Sequence, residues 1–359
     1  MKLSRPPRLA FYMLFILLLF FNKGFTQNSF QIFLVGDAGD HEESGETLVN
    51  LRKELLTNPN SAVVFLGDNS YKNILGGIIP FGYKGFDSSR NTIDKINSQL
   101  ALVDDYHGSV FFTPGNHDWW NRTTYERGLP KLAMEEYFIS KNLAKNTSIA
   151  NPGNVFLPKK GSYGPEFVEL NHQTIRMIFI DTYRIIQTGI KKNEIPNDEI
   201  SFYKKLDSVI RTGYMLNQKI IVVGHHPVFS TGPLNKALHH PYLFRRIKAS
   251  YIGFPSYQNM ASKINVILHR YPGIYYVSGH LHALQYFYTK DSVHYIISGA
   301  GSKENIQSEK EIIRYGRGSS PNEFLLWNTG GFFELNFREG SVNTFLFYDN
   351  ARLKCSLED

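Results

Sequence analysis

The stretch Phe30-Gln31-Ile32-Phe33-Leu34-Val35-Gly36-Asp37-Ala38-Gly39 decides the fold. A short, mainly apolar run rich in Val, Ile and Phe stops at a glycine and an aspartate, which reads as a buried strand entering a tight turn. The figure recurs. Residues 62–66 precede Gly67-Asp68-Asn69-Ser70-Tyr71, and residues 110–112 precede Gly115-Asn116-His117-Asp118. Residues 220–223 precede Gly224-His225-His226-Pro227, residues 274–277 precede Gly279-His280-Leu281-His282, and residues 175–180 form a further run. Helical patterns over 45–56 and 92–103 alternate with the first strands, which predicts an α/β arrangement with a mainly parallel core. The C-terminal third reads as antiparallel strands over 286–288, 293–297, 323–327, 332–337 and 344–348. With no repeat or linker to divide it, residues 27–359 are expected to form one domain, a four-layer α/β/β/α sandwich of two mixed sheets flanked by helices.

Of the 359 residues 42% are apolar and 20% charged, which excludes disorder, coiled coil and a multi-span membrane protein. The single cysteine, Cys355, excludes an intramolecular disulfide framework and a Cys-rich zinc module, and leaves the thiol's own state open. The net charge of +7 is concentrated at the start of the chain: Lys2, Arg5, Arg8 and Lys23 stand among 26 residues that contain no acid. Beyond them 35 basic residues face 32 acidic ones, and no basic, aromatic-laced strip stands out, so no nucleic-acid partner is expected. The apolar run 9–21 follows the three leading cations and rises only about 20 Å as a helix, short of a hydrocarbon core of about 30 Å. Residues 1–26 therefore read as a secretory signal peptide with cleavage near Thr26, against the alternative of an uncleaved membrane anchor. The mature protein is expected outside the cytoplasm, secreted or periplasmic, with no stable membrane insertion and an open oligomeric state.

In an open α/β sheet the carboxyl ends of the strands face a common crevice, so the five polar turns should converge. Each alone has an ordinary explanation as a turn or a satisfied polar side chain. Together they hold five of the twelve histidines, three aspartates and two asparagines, each close behind a glycine and an apolar run. Carboxylate, amide oxygen and neutral imidazole suit Fe, Zn and Mn, and thiolate is absent. A pair of ions about 3.5–4 Å apart needs a shared carboxylate and terminal ligands on both sides, which this inventory supplies.

The ordered set Gly-Asp-x-Gly, Gly-Asp-Asn-x-Tyr, Gly-Asn-His-Asp, Gly-His-His-Pro and Gly-His-x-His resembles the calcineurin-like metallophosphoesterase superfamily over Phe30 to about Gln285. Tyr71, three residues after Asp68, further resembles the small, tartrate-resistant type of purple acid phosphatase. The resemblance implies that Asp37, Tyr71 and His282 hold a first metal ion, that Asp68 bridges, and that Asn116, His225 and His280 hold a second. A Tyr71 phenolate would favour Fe(III) at the first position; the second ion is Fe, Zn or Mn. The implied chemistry is hydrolysis of phosphomonoesters on a phosphorylated small molecule, through hydroxide generated from a metal-bound water. His117 is the implied phosphate contact and general acid, beside Asn116 at the substrate. A phosphodiesterase or nucleotidase shares the same metal chemistry, and a non-catalytic binding module on this fold is the reading from another class.

Some positions stay open. His226 stands where the small purple acid phosphatases resemble Gly-His-Tyr-Pro, and is either a substrate-facing second acid or a replacement for an aromatic packing residue. The further histidine expected about nine residues past that ligand is Leu234 here, with His239 and His240 nearest. Asp118 either orients His117 or caps the next helix. Trp119-Trp120 either forms an apolar lip or packs in the core.

Overall fold

The structure, a computed structural model, describes residues 29–40, 45–71, 90–119, 125–190, 197–230, 255–289, 293–302, 312–315, 322–326, 329–338, 341–348 and 350–355. One sheet carries β1 (Phe30–Val35), β2 (Ser61–Phe65), β3 (Ser109–Phe112), β12 (Gly331–Arg338), β13 (Ser341–Tyr348) and β14 (Ala351–Lys354), in the order β14-β13-β12-β1-β2-β3. The other carries β4 (Glu166–Leu170), β5 (Ile175–Phe179), β6 (Lys219–Val223), β7 (Tyr275–Ser278), β8 (Leu284–Tyr288), β9 (His294–Ser298), β10 (Ile312–Tyr315) and β11 (Asn322–Leu326), in the order β10-β11-β8-β9-β7-β6-β5-β4. Both are mixed: β1, β2 and β3 run parallel, as do β5, β6, β7 and β9, and antiparallel strands flank each set.

The alternation along β1 explains the layering. Ile32 and Leu34 point into a core shared with Met177, Ile221 and Val277 of the facing sheet. Phe33 and Val35 point the other way, onto Leu48, Leu51 and Leu55 of α1 (Glu46–Thr57), Ile96 of α2 (Arg90–Ala101) and Leu132 and Ile139 of α3 (Tyr125–Leu143). The second sheet does the same: Ile178, Val222 and Tyr276 bury against Ile185 of α4 (Thr182–Ile190), Leu206 of α5 (Asn197–Met215) and Ile264 of α6 (Pro255–Leu268). The four-layer α/β/β/α sandwich expected from the sequence is the fold.

The late strands differ from a separate antiparallel meander. β12 docks antiparallel on β1, pairing Phe30 with Phe337, and β9 inserts between β8 and β7, parallel to β7. They complete both sheets because each parallel core has an open edge whose backbone groups need partners. The leader, residues 1–26, lies outside the described residues, as do Trp120, Leu234, His239 and His240. Among the described residues no helix is long and apolar enough to cross a membrane.

Candidate metal centre

The five polar turns meet where the carboxyl ends of the two parallel cores abut. Their approach is so close that a Cβ on Gly36, at the end of β1, would lie 3.0 Å from Cα of Gly279, just past β7. The Gly36 N–H donates to Ser298 O at the end of β9 (2.7 Å), which closes the turn before Asp37. A Cβ on Gly115 would stand 2.3 Å from Oδ1 of Asp68, so only glycine lets the turn after β3 pass over that carboxylate.

Three of the converging side chains sit on left-handed backbone: Asp37 (φ 58°), Asp68 (φ 53°) and His280 (φ 68°). Such a conformation costs on the order of 1 kcal/mol or more, and surrounding contacts hold it. The backbone N–H of His280 donates to Asp37 Oδ2 (2.7 Å) and that of His117 to Asp68 Oδ1 (2.8 Å). Each loop's backbone thus aims the next loop's carboxylate.

The side chains gather in two groups. Tyr71 donates its hydroxyl to Asp37 Oδ1 (2.5 Å) and lies 3.1 Å from His282 Nε2, which is itself 3.6 Å from Asp37 Oδ1. Asn116 Oδ1 lies 3.1 Å from His225 Nε2 and 2.9 Å from His280 Nδ1. Asp68 connects them, with Oδ1 3.4 Å from His225 Nε2 and donor atoms of Asp37, Asp68 and His225 within 4.8 Å of one another. His225 Nδ1–H donates to Leu66 O (2.8 Å), which leaves Nε2 as the nitrogen facing Asn116 and Asp68.

Electrostatics match a site built for cations. Burial, with Asp68 adjacent, raises Asp37 to about 7. Burial opposes ionisation of Asp68 too, yet the His225 and His117 imidazoles and their hydrogen bonds hold it well below the carboxylate range. His225 is pushed up to about 9 against its burial, chiefly by Asp68. Burial and the neighbouring carboxylates drive the Tyr71 phenol well above its usual value, so a phenolate there needs a cation beside it. Protons on Asp37, Tyr71 and His225 occupy the donor atoms that a metal would take over. The donor set fits two cations: oxygen and imidazole ligands, no thiolate, one carboxylate between two groups, and an additional buried ring nitrogen, His226 Nε2, with no hydrogen-bond partner.

His117 stands at the rim, half-buried, its ring 4.7 Å from that of Tyr71. His226 is not at the rim. It is fully buried, its Nδ1 lies 2.8 Å from Thr182 Oγ1, its ring stacks on Tyr183, and burial holds the imidazole neutral. Of the two sequence readings of His226, its burial favours the packing residue over direct substrate contact, since no part of the ring reaches the surface. Trp119 is also core rather than lip, fully buried with its indole N–H donated to Asp181 Oδ2 (2.7 Å). Asp118 does something not anticipated. It accepts the N–H groups of Gly115 (2.7 Å) and Ser70 (3.2 Å), tying the turn after β3 to the turn after β2.

Sequence reasoning missed a supporting shell. Lys131 and Glu135 of α3 are buried, Lys131 donating to His117 O and Glu135 accepting from Asn69 (3.2 Å). An i, i+4 Lys–Glu pair inside a helix offers no signal by itself, since most such pairs are solvated. Asp181 and Thr182 bind Trp119 and His226 from the end of β5. A signal existed for Asp181, because an aspartate directly after an apolar strand repeats the pattern of Asp37 and Asp68.

The family model for calcineurin-like phosphoesterase matches residues 30–284. No curated protein matches the chain by sequence. Among solved structures, GAP50, the anchor in the inner membrane complex of Plasmodium, is similar at 16% identity and a TM-score of 0.52, over 92% of this chain and 90% of that one. PhoD is similar at 10% identity and a TM-score of 0.51, over 92% of this chain and 72% of that one. At such identities the likeness is one of fold. The matched segment begins at β1 and runs through all five polar turns into β8, and the chain belongs to the calcineurin-like phosphoesterase family.

Proposed function

We propose that the protein is an exported, dinuclear metal-dependent phosphatase of the purple acid type that hydrolyses phosphomonoesters. The observation that carries the reading is the pair of donor groups, Asp37–Tyr71–His282 and Asn116–His225–His280, with Asp68 between them. Asp37, Tyr71 and His282 would hold one ion, preferentially Fe(III) because an anionic phenolate oxygen stabilises the trivalent state. Asn116, His225 and His280 would hold an Fe, Zn or Mn ion, with Asp68 shared. Two such ions supply Lewis-acid activation of water and neutralise charge on phosphoryl oxygens.

The chain's own residues then place the substrate and move its proton. His117 is the half-buried imidazole beside the donor groups, and its main chain is held on both sides, N–H to Asp68 and C=O to Lys131. A main chain so held supports a ring that would hydrogen-bond a phosphoryl oxygen and deliver a proton to the leaving alkoxide. Asn116, held between His225 and His280, would contact the phosphate beside it.

The test is metal content, visible absorption and hydrolysis of a chromogenic phosphomonoester against its bis-ester, on exported protein whose first residue is read by N-terminal sequencing. Iron with a broad visible band, monoester preference and a start near Gln27 are expected. Zinc or manganese without colour removes the purple acid assignment, bis-ester preference moves the activity to the diesterases, and an intact Met1 replaces cleavage with an anchor.

A further inference from the structure

Of the five histidines in the polar turns, His117 and His226 stand outside the two donor groups, and His226 has no part in the proposed reaction. Its surroundings are built rather than incidental. Thr182 Oγ1, at the first residue of α4, lies 3.0 Å from the His226 backbone N and 2.8 Å from its Nδ1. A hydroxyl oxygen has two lone pairs, so it can accept both the backbone N–H and an Nδ1–H. That arrangement turns the lone pair of Nε2 outward from Thr182, and Nε2 is buried with no hydrogen-bond partner. A histidine that ligates a metal characteristically donates its other ring N–H to an oxygen acceptor, commonly a carboxylate, a backbone carbonyl or water, and Thr182 Oγ1 takes that position here.

The ring positions point the same way. Ring nitrogens of His225, His226 and His280 lie within 4.8 Å of one another. The ring centroids are 4.3 Å apart for His226 and His280, 4.9 Å for His225 and His226, and 5.2 Å for His225 and His280. An imidazole nitrogen bound at about 2.1 Å puts its ring centre roughly 3.2 Å from the ion, so three imidazoles on one ion have centres about 4.3–5.4 Å apart for bond angles of about 85–115°. All three observed separations fall in that span.

We infer that His226 is a third imidazole ligand, through Nε2, of the ion held by Asn116, His225 and His280, with Thr182 as the residue that orients it. The inference rests on the proposed dinuclear centre and adds a donor to it. It brings the second position to three imidazoles, against the single His282 beside Asp37, Asp68 and Tyr71 at the first.

The experiment loads purified protein with cobalt(II) and titrates the ions out with a competing chelator while recording the visible spectrum. Wild type should release two ions. His226→Phe keeps a ring against His280 and Tyr183 but offers no nitrogen. It should bind one ion as before and the other at least about 10-fold more weakly, with an altered ligand-field band and unchanged circular dichroism. Should His226→Phe fail to fold, Thr182→Val serves in its place, and the expected result is a similar selective weakening of one ion, with the other unaffected. Two ions of unchanged affinity and spectrum in the folded variant overturn the inference and leave His226 as a packing residue, with the dinuclear centre standing. Failure of wild type to bind any ion overturns the centre itself, and the inference with it.

Discussion

The two sheets contribute different chemistry to one site. Every oxygen donor, from Asp37, Asp68, Tyr71 and Asn116, follows a strand of the six-stranded sheet, whereas His225, His280 and His282 follow strands of the eight-stranded sheet. Neither sheet alone holds a complete ligand set, so cations here would clasp the two halves of the sandwich together. A second clasp needs no metal: Asp181, at the end of β5, receives the indole N–H of Trp119, which follows β3. The difference teaches that the sheet junction would be held by one device that responds to metal and one that does not.

The sharpest way to break the comparison is Asp68→Asn, which removes the carboxylate shared by the two donor groups. Turnover should fall by about 10³-fold or more, on the order of 4 kcal/mol of barrier, and metal stoichiometry should fall with it. Steady-state rates beside metal analysis check this; retained turnover at full metal content would remove Asp68 from its role.

Next in size is the effect of a chelator on stability. An ion present at about 1,000 times its dissociation constant adds about 4 kcal/mol, so chelation should lower Tm by on the order of 10 °C. The pH dependence should invert as well. Asp37 and Asp181 are raised to about 7 and Asp118 to about 6, in each case chiefly by burial, so the folded metal-free protein binds protons more tightly than the unfolded chain. Their contribution is present at acid pH and is lost as pH rises from about 4 to about 7. His225, raised to about 9 by Asp68 against its burial, extends the loss above pH 7. Metal-loaded protein should gain stability over the same range, because its cations replace the protons on Asp37 and His225, whereas Asp118 and Asp181 keep theirs. Melting curves at pH 5 and 8, with and without chelator, show the crossing or its absence.

The smallest effect belongs to the metal-independent clasp. Asp181→Asn retains one acceptor oxygen for the Arg184 N–H or the indole, and loses the other, at a cost of about 1–2 kcal/mol. The loss should be equal in chelated and loaded protein when measured by urea unfolding. A cost confined to loaded protein would place Asp181 within the metal device.

Legibility followed burial. The parallel strands were readable because both their faces are covered, so β2 and β5 are apolar runs in which nearly every side chain is buried. Glu166–Leu170 was not, being an edge strand of alternating half-exposed and exposed residues whose two glutamates, Glu166 and Glu169, resemble a surface loop. The face of α3 turned inward carries Lys131 and Glu135, which breaks the apolar period a helix reading relies on, and Gly128 and Pro130 add interruptions. The donor turns stood out because glycine and a ligand-type side chain share a few consecutive residues. Their supports, Thr182 and Lys131, are distant in sequence and reach the site only through tertiary packing.

The pairing of Phe30 with Phe337 carries a consequence for assembly. The first strand of the sandwich closes against one roughly 300 residues later, and the turn before Asp37 is tied to Ser298. A nascent chain that has reached residue 284 already displays every donor side chain, yet lacks β12, the second partner of β1, and Ser298, which closes the turn before Asp37. Capture of cations would thereby be a late event, set by contact order rather than by the order in which the ligands emerge.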